Sequence, residues 1–73
     1  MNTLVEVIAI AIAEEYPAMR EDAPAIAAQL HATAELDGIP KAELLTWIRD
    51  RPKHPLSSFD LRNWRKRYGL TQP

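Results

Sequence analysis

The twelve residues from 4 to 15, LVEVIAIAIAEE, decide how the rest of this 73-residue sequence is interpreted. Large and small apolar residues alternate over positions 8 to 12, which is the period expected of a strand. We nevertheless predict a helix from about Leu4 to Glu15, because alanine and the two following glutamates favour helix and no partner strand is evident elsewhere. Thr3 and Glu6 have the spacing of a capping box. The stretch therefore predicts an all-α fold with a nearly all-apolar first helix at its centre, ended by Pro17.

A second helix is predicted to begin near Asp22, a good N-cap, with Pro24 tolerated in its first turn. Gly38 has the position of the left-handed residue that closes a helix. The apolar positions recur at helical spacing and have small residues beside them for close packing; they are Ile26, Leu30, Thr33 and Ala34, with Ala27 and Ala28.

A third helix is predicted to open at Pro40 and stop at Pro52, with an apolar stripe of Leu44, Leu45 and Ile48 and with Trp47 at the edge of that stripe. Residues 51–56 follow. Their two prolines bias the backbone toward extended conformations, so an extended connector is expected, too long for the turn of a standard helix-turn-helix.

The fourth helix is predicted to start at Ser57 or Ser58 and to end before Gly69, with a loose tail from about residue 70. Its faces separate at about 100° per residue. Leu61, Trp64 and Tyr68 form one stripe, and Arg62, Arg65 and Lys66 form a neighbouring one, while Arg67 falls on the other side. The expected architecture is a single-domain bundle of about four helices spanning residues 1–73, with the last two in a helix–extended-loop–helix arrangement.

Composition excludes several classes of protein. An apolar content of 47% is ample for a packed domain, and there is no cysteine to form a disulfide or a thiolate metal site. His31 and His54 lack the spacing of metal ligands. The longest apolar run is far shorter than the roughly 20 residues that a membrane span needs. We find no nucleophile with a base, no Gly-rich phosphate loop and no paired carboxylates, so we predict no enzyme activity and no cofactor.

Charge is divided between the two halves of the chain. Residues 1–40 contain seven acids and one base, whereas residues 41–73 contain eight bases and three acids. Such asymmetry suggests a charged partner. The alternative is that the acidic half simply packs against the basic half.

The most informative cluster is Phe59-x-Leu61-Arg62-x-Trp64-Arg65-Lys66-Arg67-Tyr68. Interleaved aromatics and arginines suit a protein interface, and the same arginines could neutralise nucleic-acid phosphates. The stretch from Leu56 to Gly69 resembles the recognition helix of transposase-type helix-turn-helix domains, although the long connector departs from that pattern. The other interpretation is that Leu61, Trp64 and Tyr68 are buried while the bases form a solvated face.

The length, the Met-Asn-Thr-Leu-Val-Glu-Val start and the acidic-then-basic layout resemble the small RNA-polymerase-binding transcription regulators of lytic Xanthomonas phages. The resemblance implies an all-helical protein of the host bacterial cytoplasm that binds the N-terminal segment of the polymerase β′ subunit. It further implies inhibition of σ-dependent initiation and antitermination. No short motif carries interface residues over from that family.

Three hypotheses therefore stand: a monomeric polymerase-binding regulator, a small DNA-binding repressor or accessory factor, and a structural subunit. For the first, we predict a contact surface on the third and fourth helices and their connector, made up of Trp47, Arg51, Lys53, His54, Arg62, Arg65 and Lys66. Counter-charges are expected to be missing from the arginine face of the fourth helix.

Overall fold

A computed structural model describes residues 3–50 and 55–68. Its elements are helix α1 (Leu4–Glu15), a 3₁₀ helix (Pro17–Asp22) and helices α2 (Ala23–Asp37), α3 (Lys41–Ile48) and α4 (Ser58–Tyr68). Every regular element in these two ranges is helical, which confirms the all-α prediction. The described helices include none that is long and apolar enough to cross a membrane.

Helix α1 begins with the predicted capping box. The Thr3 hydroxyl accepts a hydrogen bond from the Glu6 amide at 3.1 Å, and the Thr3 amide donates to the Glu6 carboxylate at 2.6 Å. Ile8, Ala11 and Ile12 are buried. The nearly all-apolar sequence of α1 contributes to the core as predicted, but not on every side, because Ile10 is 49% exposed. One face of α1 faces the core and the opposite face meets solvent.

The 3₁₀ helix before α2 was not predicted, and it changes how α2 begins. Asp22 stands at the N-cap position, but its backbone is already helical (φ −93°, ψ −4°) and its side chain caps no amide. The predicted capping role of Asp22 is therefore wrong, because the chain enters α2 directly from the preceding turn. Gly38 ends α2 with φ 68°, as predicted. Ala28, expected to support close packing, is exposed.

Helix α3 places Trp47 in the centre of the core. Pro40 stands one residue before the helix, Arg49 is the C-cap and α3 ends at Ile48. The predicted stop at Pro52 lies outside the described residues. Leu44, Trp47 and Ile48 are buried, while Leu45 is only partly covered. The stripe of α3 is thus centred closer to Trp47 than the sequence pattern indicated.

Helix α4 closes the domain over this core. Ser57 is its N-cap: the Ser57 hydroxyl accepts from the Asp60 amide at 3.1 Å, and its carbonyl accepts from the Leu61 amide at 3.0 Å. Leu61 is fully buried and Trp64 packs against the core, which agrees with the interpretation that this stripe is buried; the side chain of Tyr68 lies outside the described part of the chain. The main body is the α1–α2 pair, the most extensive helix contact in the described chain. The largest fully buried side chains are Trp47, Ile8, Ile12, Leu30, Leu44, Ile48 and Leu61.

Candidate partner-binding surface

Polar contacts fix the position of α4 against α2. Thr33 and Ser58 share a hydrogen bond at 2.5 Å. One turn further along both helices, Arg62 donates through Nε and Nη2 to the two carboxylate oxygens of Asp37, at 2.6 and 3.1 Å. Both contacts join residues 25 positions apart, so α2 and α4 run in the same direction along this seam.

A second pair of polar contacts ties α4 to α3 and to the residues just after it. Arg65 Nε donates to Glu43 Oε2 at 2.5 Å, and these side chains are only 16% and 7% exposed. The Trp64 indole N–H donates to the Asp50 carboxylate at 2.7 Å. Since a buried charge is costly unless it is paired, the Arg65–Glu43 contact allows both groups to sit at the edge of the core.

The Asp37–Arg62 contact shifts the titration of both groups. The hydrogen bond from Arg62 holds the pKa of the Asp37 carboxyl below its ordinary value, and the same bond raises the pKa of Arg62. Each partner therefore stabilises the charged form of the other. The pair also carries the planar, two-bond geometry in which a guanidinium recognises a carboxylate most specifically.

These contacts correct the predicted contact surface. Trp47 is 1% exposed, so a surface role for it is wrong: its ring forms part of the core. The expectation that the arginine face of α4 lacks counter-charges is also wrong. No such acid stands on that face of α4 itself, but Asp37 of α2 and Glu43 of α3 supply them. Arg62 and Arg65 are thus engaged inside the domain.

Of the other predicted contact residues, Lys66 is exposed and has no carboxylate partner in the described ranges. Arg67, assigned by the sequence to another side of the helix, is exposed in the same way. Arg51, Lys53 and His54 lie outside the described residues. The structure therefore leaves Lys66 as the one described member of the predicted set that is both exposed and unpaired.

Two large apolar side chains that the sequence prediction did not select are the most exposed on the described surface. Leu36 on α2 is 79% exposed and Phe59 on α4 is 72% exposed. At about 100° per residue, Leu36 falls on the opposite side of the seam from the buried Leu30, and Phe59 falls opposite the buried Leu61. Both therefore lie on the outer, solvent side of the α2–α4 seam. We call these two residues and the seam between them the outer seam face.

The sequence contained evidence that Leu36 and Phe59 could be exposed. Phe59 belongs to the aromatic and basic cluster, although it is not among the predicted contact residues. Leu36 lies about 120° from Leu30 on a helical wheel of α2. What the wheel could not supply is which helix lies beside each residue.

The other features of the described surface give weaker evidence of a binding site. An open groove of about 510 Å³ follows the outer face of α3, lined by Ala42, Leu45, Thr46, Arg49 and Asp50. Among the described residues, no group of three or more histidines or acids could hold a metal ion. Comparison with models of known protein families, with curated proteins and with solved structures found no match.

Proposed function

We propose that this chain is a protein-binding regulator of bacterial RNA polymerase that docks through the outer seam face and acts without chemistry of its own. The observation that carries the docking surface is the exposure of Leu36 and Phe59 on two helices that polar contacts hold together. The identity of the partner, the N-terminal segment of β′, rests on the resemblance of the sequence to the phage regulators.

Physical reasons favour this face as a binding surface. Aromatic side chains are enriched among the residues that dominate interface energetics, and burying one removes a large apolar area from water. The seam is preorganised, because the Thr33–Ser58 hydrogen bond and the buried Leu61 hold α4 in place before any partner arrives. A preorganised face loses less conformational entropy on binding.

Regulation by such a module requires a difference in affinity between states of the polymerase. A bound protein shifts an equilibrium only by the ratio of its affinities for the two states. To inhibit σ-dependent initiation and favour antitermination, the domain binds the elongating or inhibited form more tightly than the promoter-competent form. A tenfold preference corresponds to about 1.4 kcal/mol, which is within the contribution of one buried aromatic anchor.

The test is retention of purified bacterial RNA polymerase by the immobilised domain. We expect wild type to retain it, and Phe59→Ser and Leu36→Ser to weaken retention at least tenfold. Ile10→Ser is the matched control, because Ile10 is an exposed apolar residue of α1 and not of the outer seam face. No retention by wild type refutes the polymerase as partner. Equal retention by all four proteins refutes the docking face.

A functional assay follows from the same variants. In single-round transcription from a σ-dependent promoter upstream of a terminator, wild type is expected to lower initiation and raise readthrough. Phe59→Ser should lose both effects, whereas Ile10→Ser should keep them. If Phe59→Ser inhibits as strongly as wild type, inhibition does not pass through this face.

The second hypothesis, DNA binding by α4, is less well supported. Arg62 and Arg65 would have to leave Asp37 and Glu43 before they could contact phosphate. The pairing also means that these two arginines give the polymerase proposal no support.

A further inference from the structure

The polar contacts of Arg62 suggest a site beyond polymerase docking. Four of the six residues from 62 to 67 are basic, and the only acid on α4 is Asp60, which hydrogen-bonds to Ser57 at the start of the helix. Arg62, Asn63 and Lys66 are all exposed and stand within one turn of one another. Asp37 of the neighbouring helix accepts hydrogen bonds from Nε and Nη2 of Arg62.

We propose that Arg62, Asn63 and Lys66 form a binding site for nucleic-acid phosphate. Asp37 competes with the phosphate for the guanidinium of Arg62. The domain is thus autoinhibited for nucleic-acid binding. Asp37 and Arg62 also belong to the outer seam face, but this proposal concerns a different ligand and is tested on DNA without polymerase.

The geometry of the Asp37–Arg62 contact supports this assignment. Arg62 presents Nε and Nη2 to the two oxygens of one carboxylate, which is also how guanidinium groups bind two oxygens of a phosphate. Lys66, one turn further along α4 and unpaired in the described ranges, adds a compact positive charge. The Asn63 amide adds a hydrogen-bond donor. Asp37 therefore stands where a phosphate would stand.

Exposure distinguishes this pair from the one next to it. The side chains of Arg62 and Asp37 are 49% and 25% exposed, against 16% and 7% for Arg65 and Glu43. Exposed ion pairs contribute little to stability and are screened by salt. A phosphate can therefore replace Asp37 while α4 stays in place, whereas Arg65 stays with Glu43. The proposed site therefore consists of Arg62, Asn63 and Lys66 and does not include Arg65.

The experiment compares the wild-type domain with Asp37→Asn by fluorescence anisotropy on a random 20-base-pair DNA duplex at low salt. Asp22→Asn is the matched control, since it makes the same change in net charge at an exposed carboxylate that caps no amide. We expect Asp37→Asn to bind about fivefold more tightly than Asp22→Asn, the effect of removing one exposed ion pair. Its log-affinity against log-salt slope should be about 0.9 steeper.

A double-mutant cycle and a second probe complete the test. Arg62→Gln should abolish the gain in the Asp37→Asn background and change wild-type affinity little, because Arg62 is paired with Asp37 there. Equal affinities of Asp37→Asn and Asp22→Asn overturn the proposal, since net charge alone would then explain them. Tighter binding of poly-glutamate than of DNA by Asp37→Asn overturns the phosphate assignment. If circular dichroism shows that Asp37→Asn has lost helix, Asp37→Gln replaces it with the same expected results.

Discussion

Helix α4 carries two apolar residues in opposite environments, and truncating each one tests how the helix is seated. Leu61 is 0% exposed and Phe59, two positions earlier, is 72% exposed. Buried Leu→Ala changes cost about 2–5 kcal/mol, because apolar contacts are lost and a cavity remains. Phe59→Ala removes a side chain that is mostly in water, and alanine is the better helix former, so its effect should lie within about 0.5 kcal/mol of zero.

The difference is large compared with the stability of the domain. A single core of this size supplies about 3–5 kcal/mol in total, so Leu61→Ala should remove most of it. Urea unfolding followed by far-UV circular dichroism measures both variants, and Leu30→Ala, a 1% exposed position on α2, provides the scale for a core cavity made on another helix. If Leu61→Ala releases only α4, the remaining transition should show a smaller urea dependence than that of Leu30→Ala, because less surface is left to expose.

The result that would refute this reasoning is a small difference in unfolding free energy between the two variants. If the unfolding free energies of Leu61→Ala and Phe59→Ala agree within about 0.5 kcal/mol, Leu61 does not anchor α4 in the core. The outer seam face would then lack its rigid support.

Three further predictions concern local features. Thr3→Ala should lower the free energy of unfolding by about 1 kcal/mol in a urea titration, because it removes the capping box of α1. Gly38→Ala should cost about 1 kcal/mol in a urea titration, because a Cβ there meets no atom within 4 Å and the cost is that of the left-handed backbone alone; Gly38→Asn should cost less. Arg62 lowers the pKa of Asp37 in the folded chain, so the contribution of this carboxylate is fully present above its ordinary value of 3.8 and is lost as the pH falls through the folded value. The difference in melting temperature between wild type and Asp37→Asn should therefore shrink between pH 6 and pH 2.5, and a difference that grows on acidification contradicts the pairing.

Local signals predicted most of the helix boundaries. The capping box at Thr3, the left-handed Gly38 and the Ser57 cap all act on amides or carbonyls within a few residues, so the sequence around each is sufficient to identify it. The 3₁₀ helix was missed because its residues, PAMRED, look like an ordinary turn between two helices, and its presence is what deprives Asp22 of a capping role.

The candidate site was harder to predict because it depends on contacts between distant residues. A helical wheel of α4 shows no acid beside Arg62 or Arg65, yet the partners lie 25 and 22 residues earlier in the chain. Trp47 was misplaced for a related reason. In an eight-residue helix the wheel defines the buried face poorly, and the core position of Trp47 depends on how α3 meets the other helices.

The division of charge between the halves of the chain bears on both proposals. The pairs that cross the division include Asp37–Arg62 and the longer Glu14–Arg49 contact at 3.7 Å. The Arg65–Glu43 pair lies entirely within the basic half. Packing of one half against the other therefore neutralises only part of the asymmetry in this range.

Other exposed charges are unevenly distributed over the described part of the domain. On the 3₁₀ helix, Glu21 and Asp22 outnumber Arg20, while Lys66 and Arg67 lie in the last turn of α4. An acidic partner surface should attract the Lys66 end and repel the 3₁₀ end, and such fields act mainly on association rate and orientation. The apolar residues Leu36 and Phe59 should govern dissociation instead. Raising salt should therefore slow association of wild type with polymerase, whereas Phe59→Ser should speed dissociation at any salt concentration. If Phe59→Ser alters only the association rate, the outer seam face is not where the partner is held.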